Sequence, residues 1–118
     1  MTDHELLENA AKAAGLTIDA FCMDGGAWVY VTWSPLNGDW EHPIFKWNPL
    51  ANDGDALRLA VTLSISVSYD RLDQGVDERR VFAVHARGVE LEHLGEDRYA
   101  ATRLAITRAA AAIGKAMP

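Results

Sequence analysis

Four histidines, His4, His42, His85 and His93, are the side chains best suited to acid–base or metal chemistry in this chain. A neutral imidazole ligates metals and exchanges protons near neutral pH. None stands in a tight spacing such as His-x-x-x-His, and the lone Cys22 cannot build a structural zinc site. His85 and His93 would meet, beside Glu90 or Glu92, only if their two segments fold back on each other; surface or strand histidines are the expected reading. Asp53, Asp55, Asp70, Asp73, Asp77 and Glu78 are the candidates for holding a cation. The first pair has the spacing of helix-capping residues, and Asn52-Asp53-Gly54-Asp55 lacks the ligand ladder of an EF-hand. There is no Gly-x-Ser-x-Gly elbow, and Ser64, Ser66 and Ser68 are spaced as the solvent face of a strand. Gly25-Gly26 is too short for a phosphate loop and precedes a strand, where a phosphate loop opens a helix. These residues define no catalytic, cofactor or metal site.

Aromatic clustering is the most unusual feature. Phe21, Trp28, Tyr30, Trp33, Trp40, Phe45 and Trp47 are seven of the chain's ten aromatic residues. On a strand, Trp28 and Tyr30 face one way while Val29, Val31 and Trp33 face the other. Either helices cover both faces, or one face stays open as a partner-binding surface, since Trp and Tyr carry much of the energy at interfaces. Trp28, Tyr30, Trp33 and Trp40 are the candidate contact residues. Arg79, Arg80, Arg87, Arg98, Arg103 and Arg108 form a basic minority. The last three are five apart and spread around a helix axis, so they make no stripe for a nucleic-acid backbone. Salt bridges to Glu90, Glu92, Glu96 and Asp97 are expected of them.

Seventeen acidic residues against 11 basic ones give a formal net charge of −6, which disfavours non-specific attraction to nucleic acid or anionic membrane. The same balance suits a basic protein partner. A length of 118 residues predicts one domain spanning 1–118, and 49% apolar with 24% charged residues predicts an ordered one. One cysteine excludes an intrachain disulfide and fits a reducing compartment. Asp3, Glu5 and Glu8 stand where a signal peptide would carry basic residues, and no apolar run approaches the roughly 20 residues of a membrane helix. A cytoplasmic location is expected.

Positioning falls to a small set of elements. Residues 47 to 69 organise the chain: Pro49 keeps Asn48 extended, Asn52 or Asp53 caps a helix, and Asp53 and Asp55 complement its dipole. Ala56, Leu57, Ala60, Val61 and Leu63 form its apolar stripe, and near Ser64 the period changes to that of a strand, Ile65, Val67 and Tyr69. Thr2-Asp3-His4-Glu5 is a capping box opening a helix over about 3 to 14, which Gly15 ends. Extended runs at 16–23 and 27–33 flank Asp24-Gly25-Gly26 as a hairpin. Residues 40–46, interrupted by Pro43, read as edge strand or loop. Asp70 to Glu78 joins the central strand to a strand over 79–87, and residues 88–96 read as strand or loop. Asp97 caps a last helix over about 98 to 113, with Tyr99, Thr102, Ile106, Ala109, Ala110 and Ile113 on one side and Gly114 as its stop. The order α-β-β-(β)-α-β-β-α, with three helices and a mainly antiparallel sheet of about four to five strands, is that of an α+β domain.

Trp47-Asn48-Pro49 followed by Asn52-Asp53-x-x-Ala56-Leu57 and an apolar helix resembles the small phage and prophage domain called the phage ABA sandwich. Tyr99-Ala100-Ala101-Thr102 before Ala105-Ile106-Thr107-Arg108-Ala109-Ala110 resembles that family's closing helix. The resemblance covers roughly residues 45 to 114 and rests on folding signals. It implies an α/β/α sandwich encoded by a bacteriophage or prophage, in a family with no assigned activity and no catalytic residues to carry over. The function expected is that of a non-enzymatic phage or prophage accessory protein binding another protein, of host or phage, or itself, through the aromatic segment 21–47. A second reading is counter-defence, an acidic inhibitor of a host nuclease acting through Asp70, Asp73, Asp77 and Glu78. A third, of a different class, is a small hydrolase or nuclease using His85 and His93.

Overall fold

The computed structural model describes residues 1–32, 43–70 and 79–118. Thr2 opens α1 (Asp3–Ala14) by accepting the Glu5 N–H at 3.2 Å, and Gly15, at φ 74°, closes it with its N–H on the carbonyls of Ala11 and Lys12. Only a residue without Cβ takes that left-handed conformation at no steric cost. Leu6, Leu7, Ala10 and Ala11 bury one face of this helix.

The chain then pairs with itself. β1 (Leu16–Phe21) runs antiparallel to β2 (Ala27–Val31), with an irregularity between Ile18 and Ala20, and β3 (Phe45–Trp47) adds to the other edge of β2. In the connecting turn Gly25 has φ 100°, and the Gly26 N–H reaches Asp24 Oδ1 at 3.2 Å. Asp24 also pairs with Lys46, tying the turn to β3.

The Lys46 ammonium, and after it the Gly26 N–H, hold the Asp24 carboxyl below its usual 3.8, while that carboxylate holds Lys46 above its usual 10.5. A depressed carboxyl stabilises the fold above its unfolded pKa, and that contribution is lost as pH falls through the lower folded value. The raised ammonium contributes below its unfolded pKa and stops doing so as pH rises through the higher folded value. The pair therefore contributes fully between those limits and modestly, since both groups are exposed. Asp24→Asn is expected to lower the urea midpoint slightly at neutral pH and to match the parent once acid has protonated Asp24; a gap that persists in acid would contradict the assignment.

Asn52 caps α2 (Asp53–Thr62) by accepting the Asp55 N–H at 2.9 Å. Its buried stripe is Ala56, Leu59 and Ala60, an i, i+3, i+4 set, with Leu63 packed behind it. Leu57 and Val61, expected in that stripe, instead point outward at 63% and 71% exposure. The helix needs only one packed face, and Leu59 takes the place assigned to its neighbours. Ser64, at φ 54°, then turns the chain into β4 (Ser66–Tyr69).

β4 pairs antiparallel with β5 (Arg80–His85), and β5 with β6 (Gly88–His93), so the first part of 88–96 is strand. Among the described residues the sheet of about four to five strands is replaced by two sheets of three, ordered β1-β2-β3 and β4-β5-β6. The break lies at the turn after Trp47: α2 leads away from the first sheet and Ser64 redirects the chain to start a second. Among the described residues the order is α-β-β-β-α-β-β-β-α, with three helices and antiparallel strands, and the class is α+β.

Asp97 opens α3 (Arg98–Lys115), its Oδ1 accepting the N–H groups of Tyr99 and Ala100. α3 packs on α1, α2, β5 and β6, while α1 also packs on β1. Leu7 and Ala10 from α1, Val29 and Trp47 from the first sheet, Leu59 from α2, Val81 and Ala83 from β5 and Ala105, Ile106 and Ala109 from α3 belong to one continuous core. Gly114 does not stop α3, which continues to Lys115; it is a buried helical residue facing the Asn9 backbone.

Candidate functional site

The aromatic cluster divides between interior and surface. Trp47, opposite Ala27 in the register, is 4% exposed, and Phe21 stacks on His4 of α1 with ring centroids 3.9 Å apart. Ala27 and Val29 turn to this covered side. Trp28 and Tyr30 alternate to the other face, where Trp28 lies between Ala20 of β1 and Lys46 of β3, and Tyr30 beside Thr17. Trp28 is 44% exposed, and Ala20 and Lys46 are exposed too, so no described helix covers this face around Trp28. Trp33 and Trp40, the other two candidate contact residues, lie outside the described residues, as does His42.

His85 and His93 do not come together. His85 pairs with Gly88 at the turn of the β5–β6 hairpin, and His93 pairs with Arg80 at its open end. Five strand residues separate the two registers, roughly 17 Å. His85 Nε2 lies 3.1 Å from Glu90 Oε2, and its Nδ1 accepts the Arg87 N–H at 3.1 Å. With the side chain 2% exposed, both ring nitrogens serve the hairpin. Glu90 and Glu92 are also partners of Arg108 on α3, so these carboxylates join β6 to the helix above it.

A concave surface lies elsewhere, between α2, α3 and the second sheet, with a volume of about 490 Å³. That is within the range of ligand pockets in general. Ala56, Leu57, Leu94 and Ile106 supply aliphatic lining, and Tyr69 and Tyr99 supply two rings. The Tyr69 and Thr102 hydroxyls are 2.9 Å apart and bonded to each other. The polar lining is Asp53, Asp70, Arg79, Arg98 and Arg103. Asp53 Oδ1 receives Arg103 Nη1 at 2.7 Å, and Asp70 Oδ2 receives both Arg80 Nε at 2.8 Å and the Arg80 N–H at 3.2 Å. Arg79 and Arg98 form no ion pair with a described residue. Asp70, the first acid of the nuclease-inhibitor reading, is thus neutralised by Arg80; Asp73, Asp77 and Glu78 lie outside the described residues.

The sequence reading missed this cleft because it placed Leu57 and Tyr99 in the core. A signal for it was present: apolar residues at 56, 57, 59, 60, 61 and 63 fill more of α2 than one packed face needs, so part of them had to be left over. Compared with known proteins, the chain matches no family model, no curated protein and no solved structure. Among the described residues, no helix is long and apolar enough to cross a membrane.

Proposed function

We propose that this chain is a non-enzymatic protein-binding module, a cytoplasmic accessory protein of a phage or prophage whose partner docks on the outer face of the first sheet. One observation carries the reading: Trp28 stands 44% exposed on a sheet face with Tyr30 beside it in the alternation, while the neighbouring strand residues Ala27 and Val29 are fully buried. A half-exposed indole on a rigid strand loses little side-chain entropy on contact and offers a large apolar area, the profile of an interface anchor. Trp33 and Trp40 extend the contact in this proposal. The phage origin rests on the resemblance of residues 45 to 114 to the phage ABA sandwich.

Trp28→Ala tests it. Removing an exposed side chain leaves the core intact, so thermal stability is expected to change little, whereas an interface anchor is worth at least about 2 kcal/mol, roughly 30-fold in affinity. The readouts are light scattering over a dilution series, for self-association, and affinity capture from host lysate with both proteins. Loss of self-association shown by the parent, or of one specific partner, supports the reading. Retention of every interaction by Trp28→Ala and by Tyr30→Ala removes it.

A further inference from the structure

We infer that the cleft between α2, α3 and the second sheet is a binding site for a small organic anion, an apolar body bearing one carboxylate or phosphate head. This is independent of the Trp28 surface, which belongs to the other sheet.

The apolar half of the argument is exposure. Leu57 is 63%, Tyr69 51% and Tyr99 66% exposed, and all three line the same cleft as the buried Ala56 and Ile106. Large apolar side chains exposed singly are ordinary; three converging on a concavity of about 490 Å³ offer a continuous surface that a ligand would cover.

The polar half is charge. The chain carries −6 overall, yet among the described residues the cleft lining holds three arginines against two aspartates. Both aspartates are already satisfied, Asp53 by Arg103 and Asp70 by Arg80. Among the described residues, the two guanidinium groups left without an ion pair, Arg79 and Arg98, are therefore the charges that a ligand would meet. Arginine donates in a planar fork matched to carboxylate and phosphate, and its pairs are stronger where an adjoining apolar wall limits water. Tyr69 and Thr102 add hydroxyls on the same lining, able to orient a polar substituent.

The test uses anilinonaphthalene sulfonate, a fluorescent aromatic body carrying one anionic head, titrated into the full chain. Saturable binding at one site per chain is expected, with the neutral analogue phenylnaphthylamine binding at least about tenfold more weakly. The double variant Arg79→Gln/Arg98→Gln, both positions exposed, is expected to keep its circular dichroism spectrum and lose about tenfold or more in affinity, the value of a charged hydrogen bond. Leu57→Asp should cause a comparable loss through the apolar wall, and Trp28→Ala none. Displacement by dodecanoate or by dodecyl phosphate, whichever is stronger, identifies the preferred head. Equal affinity in the double variant, equal binding of the neutral analogue, or no saturable site overturns the inference. Loss in Trp28→Ala alone would move the probe to the first sheet and overturn it as well.

Discussion

Gly114→Ala is expected to destabilise the protein by about 3 kcal/mol or more, although helix propensity alone predicts a gain of about 1 kcal/mol from the same change. The opposition of sign makes it informative. A Cβ at position 114 would stand 1.8 Å from the Asn9 carbonyl oxygen and 2.7 Å from its carbon. Backbone, unlike the end of a flexible side chain, cannot rotate aside, so α1 would have to move bodily from α3. That movement would open the contact in which Ala10 and Ala11 of α1 and Ala109 and Ala110 of α3 are buried in the common core. It would also disturb the Lys12 Nζ bond to the Met117 carbonyl, at 3.0 Å, which ties the end of α3 back to α1. Gly95→Ala is the comparison, since Gly95 has φ 58° with nothing within 4 Å of a Cβ, and its cost should be only the left-handed strain of about 1–2 kcal/mol. Urea unfolding at constant m-value reads both. A midpoint for Gly114→Ala at or above that of the parent would mean that the helices do not approach so closely.

Gly114 also shows where local reading stops. Gly15 and Gly114 each follow a helical pattern of small and apolar residues, and each was expected to end its helix. At Gly15 the left-handed backbone confirms the local signal. At Gly114 the absent Cβ serves a neighbour that is over a hundred residues away in sequence, and no local pattern separates the two uses. The capping box at Thr2, the caps at Asn52 and Asp97 and the hairpin turn at Asp24 to Gly26 were legible because each is closed by hydrogen bonds within a few residues. The partition into two sheets was not, because β3 touches β2 at only three registered positions and nothing in its composition states which strand it joins. Residues 88–93 are ambiguous alone and become a strand through their register with β5.

The candidate surfaces divide in the same way. The outward alternation of Trp28 and Tyr30 follows from the period of a strand, so that face was visible in the sequence; that no described helix covers it around Trp28 follows from where the helices pack. The cleft needed more. Its arginines sit before β5 and in the first two turns of α3, its tyrosines at the end of β4 and in the first turn of α3, and its aliphatic residues on α2, α3 and after β6. Only the packing of α2 against α3 brings them together, and the choice between Leu57 and Leu59 for the core is made by that same packing.

Asp55→Ala is expected to cost about 2–3 kcal/mol and Asp55→Asn about 1 kcal/mol or less, because the lost function is that of an acceptor more than of a charge. Asp55 is 8% exposed, the only acid among the buried described residues. Its Oδ2 accepts the Asn48 N–H at 3.0 Å, fastening the turn that carries Asn48 and Pro49 to the first turn of α2. Asparagine retains an oxygen at that place; alanine leaves the amide without a partner in a half-buried site. Oδ1 also receives Arg58, but that guanidinium is 74% exposed and the pair adds little. The consequence extends to the cleft. The same turn presents the Leu50 carbonyl to Arg103 Nε at 3.0 Å, and Arg103 in turn neutralises Asp53 on the cleft lining. Releasing the turn frees Arg103 from one of its two anchors, so Asp55→Ala should weaken anilinonaphthalene sulfonate binding while Asp55→Asn leaves it intact. Equal stability and equal binding in the two variants would show that the turn is held by Pro49 and the Asn52 cap without Asp55. A loss confined to stability would show that Arg103 keeps its place through Asp53 alone.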